Sequence, residues 1–274
     1  MRCKELESMN WTEVLYKYDQ AVKELTVKFE TIMNDYRRLG MYSPIDSVDG
    51  RVKKVTSIME KVIRKNIPTT DIENSLEDIA GIRLLCQFVE DIYKVVEMIH
   101  ERDGKDMFIV EERDYIKNKK PSGYRSYHII IRYPLITAKG YSEVLAEIQI
   151  RTLAMNFWAT AEHSLKYKYR DNVPEYLQQR LINCANVAFQ LDEEMAKIRK
   201  EITAAQRLNE MRNNLVANIT ENMQSLYFLV NKETFDRLNN KFMKLCDEGI
   251  YMNLKRFNNE ILMIKNNIDN IREV

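Results

Sequence analysis

Two carboxylates occupy positions from which they could do chemistry. Asp78 enters the apolar run IAGIRLLCQF (79–88), and Glu147 lies inside EVLAEIQIR (143–151). Both runs read as β-strands, and neighbouring strands could bring the two acids side by side. Close carboxylates repel unless a proton or a divalent cation lies between them. With oxygen ligands alone the natural metal is Mg²⁺, which keeps water and takes substrate phosphates as further ligands. Positive charge collects in the same segments. Arg51, Lys53 and Lys61 fall together, Arg83 lies within a strand, and Arg113, Lys117, Lys119, Lys120 and Arg125 surround the turn in KKPSGYRSYHIIIRY (119–133). Singly, each is an ordinary solvated side chain. Together they are numerous enough to clamp a polyphosphate, arginine by bidentate contacts and lysine as a point charge. Tyr124 either presents its ring to a nucleobase or packs within a hairpin. Two of the three histidines, His128 and His163, fall in these segments as well. The residues alone therefore describe a Mg²⁺-dependent site for handling nucleotides.

The elements that must position this site follow from periodicity. Side-chain alternation in EVLAEIQIR puts Val144, Ala146, Ile148 and Ile150 on one face, and Leu145, Glu147, Gln149 and Arg151 on the other. In SYHIIIRY (126–133), Ser126, His128 and Arg132 share a face. One such strand alone reads as a solvent-facing surface; two together point to a common polar face. Strands are expected at 79–88, 107–116, 126–133 and 143–151, with a helix at 91–102. A long amphipathic helix precedes them from about Trp11 to Arg38, followed by a helix after Asp49-Gly50 that turns Val52, Val55, Ile58 and Val62 inward. After Arg151 the chain reads as helical: 152–170, a break at Asn172-Val173-Pro174, then helix to about residue 206. The remainder to residue 274 is further helix. Its stripe of Met211, Leu215, Ile219, Met223, Leu226 and Leu229 must be buried, in extra packing or in an oligomer interface.

Composition narrows the class. With only 7 Gly and 5 Pro in 274 residues, long helices are favoured over a loop-rich β architecture. Basic and acidic residues number 42 and 41, which excludes a whole-protein basic field for nucleic acid. Cys3, Cys86, Cys184 and Cys246 lack metal or redox spacing and read as free thiols of a reducing cytoplasm. The opening MRCKELESMN has no apolar signal region, and neither secretion nor membrane spanning is expected.

DIAGIR (78–83), RDYI with KPSGYRSYH (113–128) and EIQIRTLAMNFWATAEHSLKYKY (147–169), preceded by GRVKKVTSIMEK (50–61), closely resemble the small alarmone synthetases. These are short relatives of the synthetase module of Rel/Spo-type enzymes. The resemblance covers about residues 10–205. It implies an α+β fold, a nucleotidyltransferase-like mixed sheet flanked by long helices. A synthetase domain over 1–205, with its core at about 45–170, would precede a helical extension over 206–274. The implied activity is transfer of the β,γ-pyrophosphate of ATP to the 3′-hydroxyl of GDP or GTP, giving (p)ppGpp and AMP. Carried over, Asp78 and Glu147 match the Mg²⁺ ligands, and Glu147 also the base for the 3′-hydroxyl. Arg51, Lys53, Lys61 and Arg83 match the ATP-binding cations. Lys120, Tyr124, His128 and Gln149 match the acceptor side, with Tyr124 stacking on guanine. Arg113, Lys117 and Arg125 would be further phosphate contacts.

The resemblance also favours a cytoplasmic homo-oligomer, a homotetramer. In one tetrameric subgroup a cleft binds (p)ppGpp. Its counterparts here are Thr26, Glu30, Ser47 and Asp49, which lack a basic anion site, so activation by product is not expected. The histidines precede Glu101, Ile129 and Ser164, so the His-Asp pair of the hydrolase domain is missing and no (p)ppGpp hydrolysis is expected. Two alternatives stay open. One is a non-catalytic nucleotide- or RNA-binding module, against which the intact Asp78, Glu147 and Tyr124 count. The other is a pyrophosphokinase for an adenine nucleotide or tRNA, whose tRNA form the near-zero net charge disfavours.

Overall fold

The computed structural model describes Leu6, residues 9–169 and residues 173–272. Cys3 and Asn172 lie outside these. Helix α1 (Trp11–Arg38) opens where the Asn10 side chain accepts the Glu13 N–H at 3.3 Å, satisfying one of the free donors of the first turn. It buries Tyr18, Ala21, Val22, Leu25 and Phe29 along one stripe.

The segment after α1 departs from the sequence reading. Ser47–Val52 is a strand, β1, and the helix expected from Gly50 begins only at Val55, as α2 (Val55–Lys65). The reason is steric and comes from α1. A Cβ on Gly50 would lie 2.3 Å from Thr26 Oγ1 and 2.8 Å from Val22 Cγ1, so β1 crosses α1 where only glycine fits. Ile58 and Val62 are buried, as their helical spacing requires.

A short helix α3 (Ile72–Ser75) leads into β2 (Ala80–Cys86), α4 (Val89–His100), β3 (Phe108–Asp114), β4 (Tyr127–Thr137) and β5 (Gly140–Thr152). The five strands form one sheet in the order β1-β2-β5-β4-β3, in which only β2 and β5 run parallel. β4 and β5 pair out to Thr137 and Gly140, so both run further than their apolar cores suggested. One sheet face packs on α1 and α4. Ala80, Ile82, Leu84, Ile129, Ile131, Ala146, Ile148 and Ile150 share a core with Leu25, Phe29, Ile92, Val95 and Ile99. Burial of each Ile, Leu, Val or Phe side chain among them contributes about 1.5–3 kcal/mol. The opposite face carries the polar residues.

After β5, Thr152 accepts the Met155 N–H at 3.0 Å and caps α5 (Leu153–Tyr169). Val173 and Pro174 are non-helical, and α6 (Glu175–Tyr227) follows. By compactness the chain forms two units, Met1–Ala196 and Lys197–Val274. In the second, the end of α6, α7 (Lys232–Glu248) and α8 (Tyr251–Arg272) enclose a core of their own. Ile219, Met223 and Leu226 of the expected stripe are buried there against Leu238, Phe242, Leu254, Phe257 and Ile261, while Met211 stays exposed. The stripe thus finds its cover within this unit. Among the described residues, no helix is long and apolar enough to cross a membrane.

Gly50→Ala tests the crossing of β1 over α1. Overpacking there is expected to cost about 1–3 kcal/mol. Both tryptophans, Trp11 and Trp158, lie in the first unit, so the urea midpoint read by their fluorescence reports it alone. An unchanged midpoint would show that the contact relaxes freely.

Candidate active site

The strand register assembles the polar face. One row crosses all five strands: Asp49 pairs with Arg83, Arg83 with Gln149, Gln149 with His128, and His128 with Arg113. The adjacent row sets Arg51 beside Gly81, and Gly81 beside Glu147. Asp49, Arg51, Asp78, Arg83, Glu147 and Gln149 line one small recess together with Gly81 and Ile82. Asp78, just before β2, meets two ammonium groups: Lys53 Nζ at 2.5 Å and, from α2, Lys61 Nζ at 2.8 Å. Burial pushes its pKa up, but the two lysines outweigh this and hold it below the ordinary aspartate value. Burial likewise opposes ionisation of Glu147. The hydrogen bond from His128, helped by Gln149, reverses the shift, so its pKa is lowered although Asp78 repels it. Both carboxylates are anions at neutral pH.

Glu147 is held through both oxygens. His128 Nδ1 lies 2.8 Å from Oε1, and Gln149 Nε2 donates to Oε2 at 2.7 Å. An ionised carboxylate only accepts, so Nδ1 of His128 carries the proton toward Glu147, and Nε2 lies 2.8 Å from the Tyr124 hydroxyl. Arg151 feeds both arms. It donates to Gln149 Oε1 at 2.6 Å and to the Tyr124 hydroxyl, and its Nε donates to Ser126 Oγ at 3.2 Å. The Tyr124 ring lies beneath two cations, Lys120 at 5.0 Å and Arg151 at 5.1 Å from its centre. Lys120 also sits 4.2 Å from the centre of the Tyr115 ring, whose edge-on contact supports His128 at 5.1 Å. Burial lowers the pKa of Lys120.

Of the residues expected at the site, Asp78, Glu147, Arg51, Lys53, Lys61, Arg83, Lys120, Tyr124, His128 and Gln149 belong to this face or its rim. Three others are engaged by protein groups, Arg113 although it ends the row across the polar face. Arg113 is taken up by carboxylates, Glu77 at 2.9 Å through two nitrogens and Glu111 beside it. Lys117 pairs with Asp114 at 3.6 Å and lies over Tyr93. Arg125, expected as a phosphate contact, is buried against α6, where its donors meet protein oxygens. His163 is exposed on α5. The sequence reading put Arg151 on the polar row but gave it no part. Tyr115 and the Asp49–Arg83 pair at 3.5 Å are not among the expected residues, the latter because no strand is expected at 47–52.

A mixed sheet with two ionised carboxylates on one face, ringed by lysine and arginine, is of a class suited to phosphorylated substrates. Residues 50–172 match the region found in RelA/SpoT proteins. The GTP pyrophosphokinase YjbM of Bacillus subtilis is 52% identical over 201 residues, 73% of this chain and 94% of that protein. The crystal structure of small alarmone synthetase 1 from Bacillus subtilis bound to its product pppGpp superposes with a TM-score of 0.67. It is 53% identical, over 70% of this chain and 97% of that one. The same synthetase bound to AMPCPP gives a TM-score of 0.62 at 48% identity, over 71% and 98%. The chain belongs to the RelA/SpoT family, among its small alarmone synthetases.

One further acid lies behind the site. Asp192 of α6 is buried and accepts from Thr152 Oγ1 at 2.7 Å. Burial pushes its pKa up from 3.8 to about 6, against the pull of Thr152 and Arg125. The folded state therefore holds a proton that the unfolded chain releases, and stability falls as pH rises from 3.8 through about 6. The penalty at neutral pH is roughly 2–3 kcal/mol. Asp192→Asn keeps an acceptor for Thr152 without the charge. Its melting temperature should exceed wild type at pH 7.5 and converge with it near pH 4; a constant offset would contradict this.

Proposed function

We propose that this face carries out one reaction, the transfer of the β,γ-pyrophosphate of ATP to the 3′-hydroxyl of GDP or GTP. The chain is a GTP pyrophosphokinase and makes (p)ppGpp. The observation that carries the division of roles is Glu147, held ionised on the central strand with cations to either side of it. Glu147 takes the proton from the 3′-hydroxyl as that oxygen attacks the β-phosphorus. The bond from the β-phosphorus to the oxygen bridging it to the α-phosphorus breaks, and AMP leaves with that oxygen. Arg51, Lys53, Lys61 and Arg83 face the phosphates of ATP and offset the charge that builds on them. Lys120, Tyr124, His128 and Gln149 hold the acceptor, with the Tyr124 ring against guanine.

Asp78 and Glu147 would hold Mg²⁺. Two ionised carboxylates lining one recess fit an ion that draws its other ligands from water and phosphate. When bound, it supplies neutralisation of phosphate charge. The chain acts in the cytoplasm as a homo-oligomer, a homotetramer by family likeness. Leu153, Phe157, Val187, Leu191 and Met195, all exposed, support assembly through α5 and α6. Sedimentation of the full chain reads the number of copies, and a monomer would contradict this part.

Glu147→Gln is expected to keep guanine-nucleotide binding by calorimetry within about threefold while turnover falls by roughly 10²–10⁴, the range of general-base removal. Asp78→Asn should raise the Mg²⁺ concentration needed for half-maximal turnover. Wild-type turnover in either variant would overturn the assignment.

A further inference from the structure

Arg125 follows Tyr124 directly in sequence, yet it faces α6. Its side chain is 7% exposed. Nη1 donates to Gly123 O at 3.2 Å and to Ala185 O at 3.3 Å, and Nη2 donates to Asn186 Oδ1 at 3.3 Å. The guanidinium also lies 4.3 Å from the centre of the Phe189 ring. The turn itself rests on the same helix. Gly123 has φ +86°, and a Cβ there would come within 2.7 Å of Ala185 Cβ. Tyr124 packs against the buried cluster of Trp158, Ala159 and Ala185.

We infer that Arg125 is a positioning residue that fastens the acceptor turn (120–125) to α6 and so fixes the Tyr124 ring before any nucleotide binds. The inference rests on the acceptor role proposed for Tyr124. The ring is then held at two ends: its hydroxyl by His128 and Arg151, and its backbone by the fork of Arg125 across Gly123, Ala185 and Asn186. Without the fork, ordering the turn becomes part of the cost of acceptor binding. ATP binding, which uses β1, α2 and β2, is untouched. A point charge cannot replace the fork, because three oxygens on two elements need planar, divergent donors.

The test uses the full chain with Arg125→Met, Arg125→Lys and Asn186→Leu, measuring KM for GDP, KM for ATP, kcat and amide hydrogen exchange over residues 119–126. Arg125→Met should raise the KM for GDP about tenfold, leave kcat and the KM for ATP within about twofold, and speed exchange in the turn. Arg125→Lys should not restore it, and Asn186→Leu should raise the KM for GDP by about threefold. Three results would overturn the inference. Rescue by lysine with no effect of Asn186→Leu would mark a phosphate contact instead. Parallel rises in both KM values with a lower melting temperature would mark general destabilisation. Unchanged exchange in Arg125→Met would show that the turn is held by other means. Should the wild type make no pyrophosphorylated guanine nucleotide, the failure falls on the proposed reaction, and the exchange comparison still decides what holds the turn.

Discussion

An ionised glutamate on the central strand of a sheet is costly, and the arrangement around Glu147 follows from offsetting that cost. Burial alone would favour the protonated acid. Two arms of hydrogen bonds, His128 with Tyr124 and Gln149, converge on its two oxygens and begin at one buried guanidinium, Arg151. His128 and Gln149 both donate to the carboxylate, and Arg151 donates into each arm, so charge is drawn toward the same two oxygens. The same bonds fix where a base, a ring and an amide stand relative to one another. Preorganisation for chemistry and satisfaction of buried polar groups are here a single network.

Asp78 is balanced differently. Its partners are the ammonium groups of Lys53 and Lys61, compact and mobile charges on long stems, rather than a fixed hydrogen-bond fork. Lysines in such pairs can turn toward phosphate when a polyphosphate enters, while the carboxylate turns toward a cation. All three side chains are partly exposed, so phosphate and water can reach them. The sheet thus separates two tasks: the β1–β2 side with α2 carries exchangeable charge, and the β4–β5 side carries a rigid acceptor surface.

Alternation in EVLAEIQIR and SYHIIIRY sufficed to place Glu147, Gln149, Arg151 and His128 on one face, because a strand's period is local. What depended on distant contact was not legible. The residues after Gly50 look like the start of a helix until Gly50 is seen against Thr26 and Val22 of α1. Arg125 reads as one more cation of a basic turn, and only its contact with Ala185 and Asn186, sixty positions onward, turns it inward. The partner of Arg113 was hidden for a similar reason, since Glu77 comes from before another strand. The C-terminal stripe announced burial but not its partner, which α7 and α8 supply.

Where the pyrophosphate goes is the most direct test. The full chain would be incubated with Mg²⁺ and ATP labelled in its γ-phosphate, together with GDP, GTP, tRNA or no acceptor, and the products resolved. The account predicts label on the 3′ position of the guanine nucleotide with an equal amount of AMP. Label that stays in ATP with every guanine acceptor, or that passes to an adenine nucleotide or tRNA, would contradict it.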